Sequence, residues 1–119
     1  EIIYPLKKET SDLDVPLPDG IKDNEYIYLL EQSLDRILKI FTPDFLFFQS
    51  GIDIIETDKL GRLGVSIKGC KRRDEIVLNL AKELNLPIVA SMGGGYSEEI
   101  KYIIEAHANT FRTAQHIFF

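Results

Sequence analysis

Two short apolar runs limit what this chain can fold into more than any other feature. Phe45-Leu46-Phe47-Phe48 and Ile88-Val89-Ala90 sit inside stretches that read as strands, Asp44–Gln49 and Pro87–Met92. Neither alternates polar with apolar residues, which is the pattern of strands covered on both faces. Between them, Cys70, Arg73, Val77, Leu80, Ala81 and Leu84 recur at helical spacing, so a helix over about 67–85 joins the two. Asn85 and Pro87 close that helix. Strands joined in this way run parallel, with a right-handed crossover.

The flanks extend the pattern. Tyr26, Leu29, Leu30, Ser33, Leu34, Ile37, Leu38 and Phe41 form a helical stripe. Asp23 is the expected N-cap, and Thr42-Pro43 is the stop. A third helix follows Ser97, its expected cap, with Glu98 and Glu99 near the positive end. Its apolar face is Ile100, Ile103, Ile104, His107, Phe111 and Ala114. Residues 1–22 read as extended loop, with a short strand at Leu13–Val15 and a turn at Asp19-Gly20. The order is helix, strand, helix, strand, helix. Two parallel strands make a poor sheet by themselves, so neighbouring strands are expected from outside this chain. The start on Glu1-Ile2-Ile3-Tyr4-Pro5, without Met, fits a processed or cut chain.

With 119 residues, 45% of them apolar and 28% charged, the chain is large enough for one globular domain and poorly suited to disorder. A net charge of −5 with scattered basic residues disfavours a nucleic-acid groove. Lys71-Arg72-Arg73 is the one dense basic cluster, and it falls on a predicted helix among acids. The single cysteine, Cys70, excludes an internal disulfide and is too few for a thiolate metal site. No apolar run approaches the roughly 20 residues that span a bilayer. A soluble, cytoplasmic protein with neither nucleic-acid nor membrane partners is expected.

Ligand sites in open α/β sheets gather beyond the carboxyl ends of the strands. Asp53 follows the first strand and Tyr96 the second, the latter after Gly93-Gly94-Gly95. A carboxylate here is a candidate ligand for catalytic zinc, or a turn cap that binds loop amides. Asp58 is a second carboxylate, with a turn or cap as its plainer reading. The glycines permit three readings: an anion cradle before a helix, close backbone approach to a ligand with Tyr96 as a hydroxyl donor, or a tight turn with Tyr96 packed on the sheet. The dinucleotide fingerprint is not met, since Glu98 stands where its third glycine belongs. The connection from Gly51 to Ser66 is long, as functional loops often are. His107 and His116, nine positions apart on one helix, point to nearly opposite sides and form no metal pair. His107 reads as a satisfied core histidine, His116 as exposed, and Cys70 as a small core residue.

Several ordered motifs resemble the C-terminal part of the histone deacetylase superfamily. They are Asp14-Val15-Pro16-Leu17-Pro18-Asp19-Gly20, Asp23-Asn24-Glu25-Tyr26, Thr42-Pro43-Asp44, Ser50-Gly51-Ile52-Asp53, Asp58-Lys59-Leu60-Gly61-Arg62-Leu63-Gly64-Val65-Ser66 and Gly93-Gly94-Gly95-Tyr96-Ser97. With Arg73-Asp74 downstream, the set resembles class IV-like deacetylases and their bacterial relatives, over about residues 4–113. The resemblance implies a three-layer α/β/α fold with a parallel sheet, of arginase/deacetylase type, with residues 1–119 as its C-terminal portion. It implies Asp53 as one zinc ligand, Tyr96 as the hydroxyl that polarises the acetyl carbonyl, and Leu60 and Gly94 as lining of the acyl-lysine channel. Asp58 matches a family acid with a structural role. The family takes its other two zinc ligands from an Asp-X-His motif and its acid/base from a His-His pair; this sequence has neither.

The expected function is therefore the C-terminal part of a zinc-dependent deacetylase acting on an acetylated lysine or amine, inactive without its N-terminal part. Such a chain is expected to associate with that missing part or with itself. Two alternatives come from other classes. One is a small stand-alone α/β binding module that holds an anionic ligand in the Gly93–Ser97 loop. The other is a non-catalytic interaction domain that has lost its active half.

Overall fold

The computed structural model describes residues 7–119; the stretch Glu1–Pro5 lies outside them. The elements are α1 (Asp23–Ile40), β1 (Leu46–Gly51), α2 (Ile67–Glu83), β2 (Ile88–Gly93) and α3 (Ile100–Phe118). β1 and β2 pair in parallel, Leu46 with Ile88 through Gly51 with Gly93. This is the strand–helix–strand unit that the sequence pattern predicts.

α2 is the central helix, and its boundaries have local causes. Ser66 is its N-cap: the hydroxyl oxygen accepts from the Gly69 amide at 3.0 Å. At the other end Asn85 takes a left-handed φ of 54°, a conformation Asn tolerates better than most residues, and Leu86 N–H returns to the Ala81 carbonyl. The buried face is Gly69, Cys70, Arg73, Asp74, Val77, Leu78 and Ala81; of the expected stripe, Leu80 is half-buried and Leu84 exposed. A small core of Ile52, Ile55, Cys70 and Ala106 lies at one end, with Ile54, Tyr102 and Ile103 packed on it.

Four expectations are corrected by tertiary contacts. Asp23 does not cap α1; Lys22 holds that position with extended backbone and no side-chain bond. The Asp23 carboxylate instead accepts from the backbone N–H and the hydroxyl of Ser66, tying the start of α1 to the start of α2. Ser97 does not cap α3, which begins three residues later behind Glu99; its hydroxyl pairs with Thr57 at 2.8 Å. Residues Leu13–Val15 form no strand, and Asp14 instead accepts from the amide and hydroxyl of Ser11. Finally, the strands are not covered on both faces. α2 lies over the side carrying Phe48, with the Arg73 guanidinium 5.5 Å from its ring centroid. Phe47 and its register partner Val89, on the opposite side, are 83% and 48% exposed.

α3 departs from its pattern in the same way. It buries Ala106, Asn109, Thr110 and Thr113, a small and polar strip, while Ile100, Ile104 and Phe111 from the expected apolar face are exposed. One member of the strip, Thr110, meets a carboxylate. Thr110 Oγ1 donates to Asp74 Oδ2 at 2.7 Å, and Asp74 Oδ1 accepts from Arg73 Nε and Nη2 at 3.0 and 2.9 Å. Arg73 therefore turns inward and leaves the basic cluster. Among the described residues no helix is long and apolar enough to cross a membrane.

Candidate active site at the carboxyl ends of the strands

β1 and β2 end side by side at Gly51 and Gly93, and the loops beyond them carry every candidate residue. Ile52 N–H donates to the Gly93 carbonyl at 3.0 Å, continuing the pairing one step past the ladder. Asp53 then leaves the sheet with its side chain exposed.

The glycines around Asp53 explain how two loops close on it. A Cβ at Gly94 would lie 3.0 Å from Asp53 Cβ and 3.1 Å from its amide nitrogen, and φ there is +68°. A Cβ at Gly61 would lie 2.1 Å from the Asp53 carbonyl oxygen. Neither position admits another residue without moving backbone. At Gly94 the backbone approaches Asp53 of the same chain, a contact that none of the three readings of the Gly93–Gly95 run includes. Because α3 starts only at Ile100, the glycines do not open directly onto a helix N-terminus.

Asp58 joins these loops. Its Oδ1 accepts from the amides of Leu60 and Gly61 at 2.9 and 2.8 Å, and its Oδ2 accepts from the Tyr96 amide at 3.0 Å. Lys59 N–H donates to the Tyr96 carbonyl at 3.3 Å, and Asp58 bridges Ser97 in antiparallel fashion. The Asp58 carboxylate is buried, at 7% exposure, whereas Tyr96 and Leu60 stand 54% and 62% exposed. The structure thus gathers Asp53, Asp58, Leu60, Gly94 and Tyr96 at one end of the sheet.

Behind this end, Arg73 Nη1 donates to the Gly51 carbonyl, so the last residue of β1 is held from below by α2. Sequence reasoning placed Arg73 on an inner stripe without seeing this bond. The available signal was an adjacent Arg-Asp pair on a buried face, which must find partners for its charges. Burial pushes the Cys70 thiol up to about 11, against the lowering effect of Arg73; so protonated and buried, it is a core residue and no nucleophile. Burial also raises the Tyr26 phenol above its usual value. His107 is not the satisfied core histidine expected. Its buried Nδ1 has no protein partner, and Nε2 faces Gly95, 3.7 Å from where a Cβ would stand. Among the described residues no three or more His, Cys, Asp or Glu side chains cluster as a metal site. Among the described residues, Asp53 is an oxygen donor with no cluster of further metal ligands around it.

Two parallel strands joined by a crossover helix, with a loop cluster at their carboxyl ends, fit an α/β fold of arginase/deacetylase type. Three solved structures share that fold. Acetylpolyamine aminohydrolase from Burkholderia pseudomallei superposes with a TM-score of 0.71 at 24% identity, covering 86% of this chain and 28% of that one. The HDA15 HD domain gives 0.68 at 22% identity over 82% and 27%. An HDAC homologue complexed with SAHA gives 0.67 at 27% identity over 87% and 26%. The histone deacetylase domain model matches residues 4–111, and the chain belongs to that family. Among relatives, an uncharacterised protein of Picosynechococcus sp. is 32% identical over 99% of this chain and 39% of its own length. Histone deacetylase 2 of Arabidopsis thaliana is 32% identical over 86% of this chain and 27% of its own length. The chain therefore spans two fifths or less of these relatives.

Proposed function

We propose that this chain is the C-terminal portion of a zinc-dependent amide hydrolase that removes acetyl groups from an acetylated lysine or amine. The observation that carries the reading is the convergence of Asp53, Leu60, Gly94 and Tyr96 at the carboxyl ends of two adjacent parallel strands. Family membership supports the reaction class.

In this reading Asp53 is one zinc ligand. Its exposed carboxylate fits an oxygen donor, and Gly61 and Gly94 leave the backbone close beside it. Catalytic zinc normally takes three protein ligands, so two more are assigned to sequence outside this chain. Bound there, zinc supplies Lewis-acid polarisation of the acetyl carbonyl and an activated water. Tyr96 donates its phenolic proton in a hydrogen bond to the carbonyl oxygen as that oxygen gains negative charge. Leu60 and Gly94 line the path of the acyl-lysine stem, and Asp58 is structural. The exposed Phe47–Val89 face, and the strand edges that no described strand pairs, receive the rest of the fold.

The test is made on the intact natural protein. Tyr96→Phe is expected to lower turnover of an acetyl-lysine peptide by about 100- to 1,000-fold, with zinc content by atomic absorption unchanged. Unchanged turnover removes Tyr96 from the mechanism.

A further inference from the structure

We infer that Asp58 is a positioning residue that sets the Tyr96 hydroxyl through the Tyr96 backbone; the inference rests on the catalytic reading of Tyr96 proposed above. A carboxylate this well buried needs hydrogen bonds or a counter-charge to offset its lost hydration. Asp58 receives three backbone N–H groups, from Leu60, Gly61 and Tyr96. Two belong to its own turn. The third comes from the other strand's loop, 38 positions away.

The Tyr96 peptide is held from both sides. Its N–H is taken by Asp58 and its carbonyl by the Lys59 amide, while the next residue is anchored by the Thr57–Ser97 hydroxyl pair. On the preceding side lie Gly94 and Gly95, with φ of +68° and +123°. Two glycines in sequence give the backbone wide freedom to pivot. A ring that is half exposed and preceded by such a pivot is located by its own backbone more than by packing around it. The Asp58 carboxylate supplies that location. Because the same group holds Leu60 and Gly61, it also sets the spacing between the channel wall and the phenol.

The geometry permits a selective break. In Asp58→Asn the amide oxygen has most to gain by facing the two donors of the turn, Leu60 and Gly61. The NH2 group then faces the Tyr96 N–H, donor against donor. The turn survives and the Tyr96 strut is lost.

The experiment compares wild type, Asp58→Asn and Tyr96→Phe in the intact natural protein, by residue-resolved amide hydrogen exchange and by steady-state kinetics. In Asp58→Asn, exchange at Tyr96 is expected to rise about 10- to 100-fold, as for a lost charge-assisted bond. Leu60, Gly61 and the α2 amides are expected to stay within about twofold of wild type. Turnover falls by about tenfold or more with KM little changed, and Asp58→Asn added to Tyr96→Phe costs almost nothing further. A Tyr96 amide that exchanges as in wild type, or a rise shared evenly by Tyr96, Leu60, Gly61 and α2, overturns the clamp. If Asp58→Asn does not accumulate as folded protein, Ser97→Ala loosens the same junction from the other side. It is expected to raise Tyr96 exchange about 2- to 10-fold, and no rise there likewise overturns the clamp. Should Tyr96→Phe alone leave turnover intact, the catalytic reading falls, while the exchange result still decides the clamp.

Discussion

The two faces of the β1–β2 sheet are built from similar residues and meet opposite fates. On one side, which carries Phe48 and the fully buried Ser50, α2 sets Arg73 over the Phe48 ring and holds a network in which Asp74, at 0% exposure, joins Arg73 to Thr110. On the other side Phe47 and Val89 stand open, at 83% and 48% exposure. Apolar composition is a requirement for cover and does not supply it. The covered face owes its closure to a helix in the same crossover unit, and it spends buried charge there to pin the end of β1. The open face is continuous with sheet edges that have hydrogen-bonding groups to share.

This contrast has consequences that differ in size. Asp74→Ala leaves the Arg73 charge buried without its carboxylate and Thr110 without its acceptor, so urea unfolding is expected to show a loss of about 3–5 kcal/mol. A loss below about 1 kcal/mol would mean that the covered face is no more cooperative than the open one.

A second effect comes from pH. The Cys70 thiol titrates from 9.0 when free up to about 11 when folded. Below pH 9 both states hold the proton and the full stability is present. Between pH 9 and 11 the unfolded chain ionises and the folded one does not, so stability falls by roughly 2–3 kcal/mol. Tyr26, raised above 10.0 by burial, acts in the same direction at the top of this window. Urea unfolding across it should therefore show a slope, and Cys70→Ala should flatten the part below pH 10. An equal slope in Cys70→Ala would remove the thiol from the covered core.

The smallest stability effect is expected on the open face. Phe47→Lys should change unfolding free energy by no more than about 0.5 kcal/mol. Light scattering of the 119-residue chain should nevertheless show association in the wild type and less in the variant. A wild-type chain that stays monomeric would break the link between that face and a partner surface.

Local patterning carried most of the backbone. Tyr26–Phe41 at helical spacing, the two apolar runs and the Asn85-Leu86-Pro87 stop each depend on neighbours within a few positions, and each element appears within a few residues of its expected place. The caps of α1 and α3 were not legible in this way. Asp23 and Ser97 are good capping residues by local chemistry, but Ser66 and Thr57, distant in sequence, offered them partners that local rules do not weigh. The candidate site was legible as positions following strands, together with a motif order shared with one family. Its joinery was not.

What the sequence determined by itself was the alternation of helix and strand, the parallel crossover and the placing of Asp53 and Tyr96 beyond neighbouring strands, because periodicity and chain connectivity are properties of the chain alone. Only the tertiary structure decided which apolar face is covered, that Gly61 and Gly94 both close on Asp53, and that Asp58 spans to Tyr96. Those outcomes depend on excluded volume and on hydrogen-bond partners drawn from opposite ends of the chain, and no local pattern encodes them.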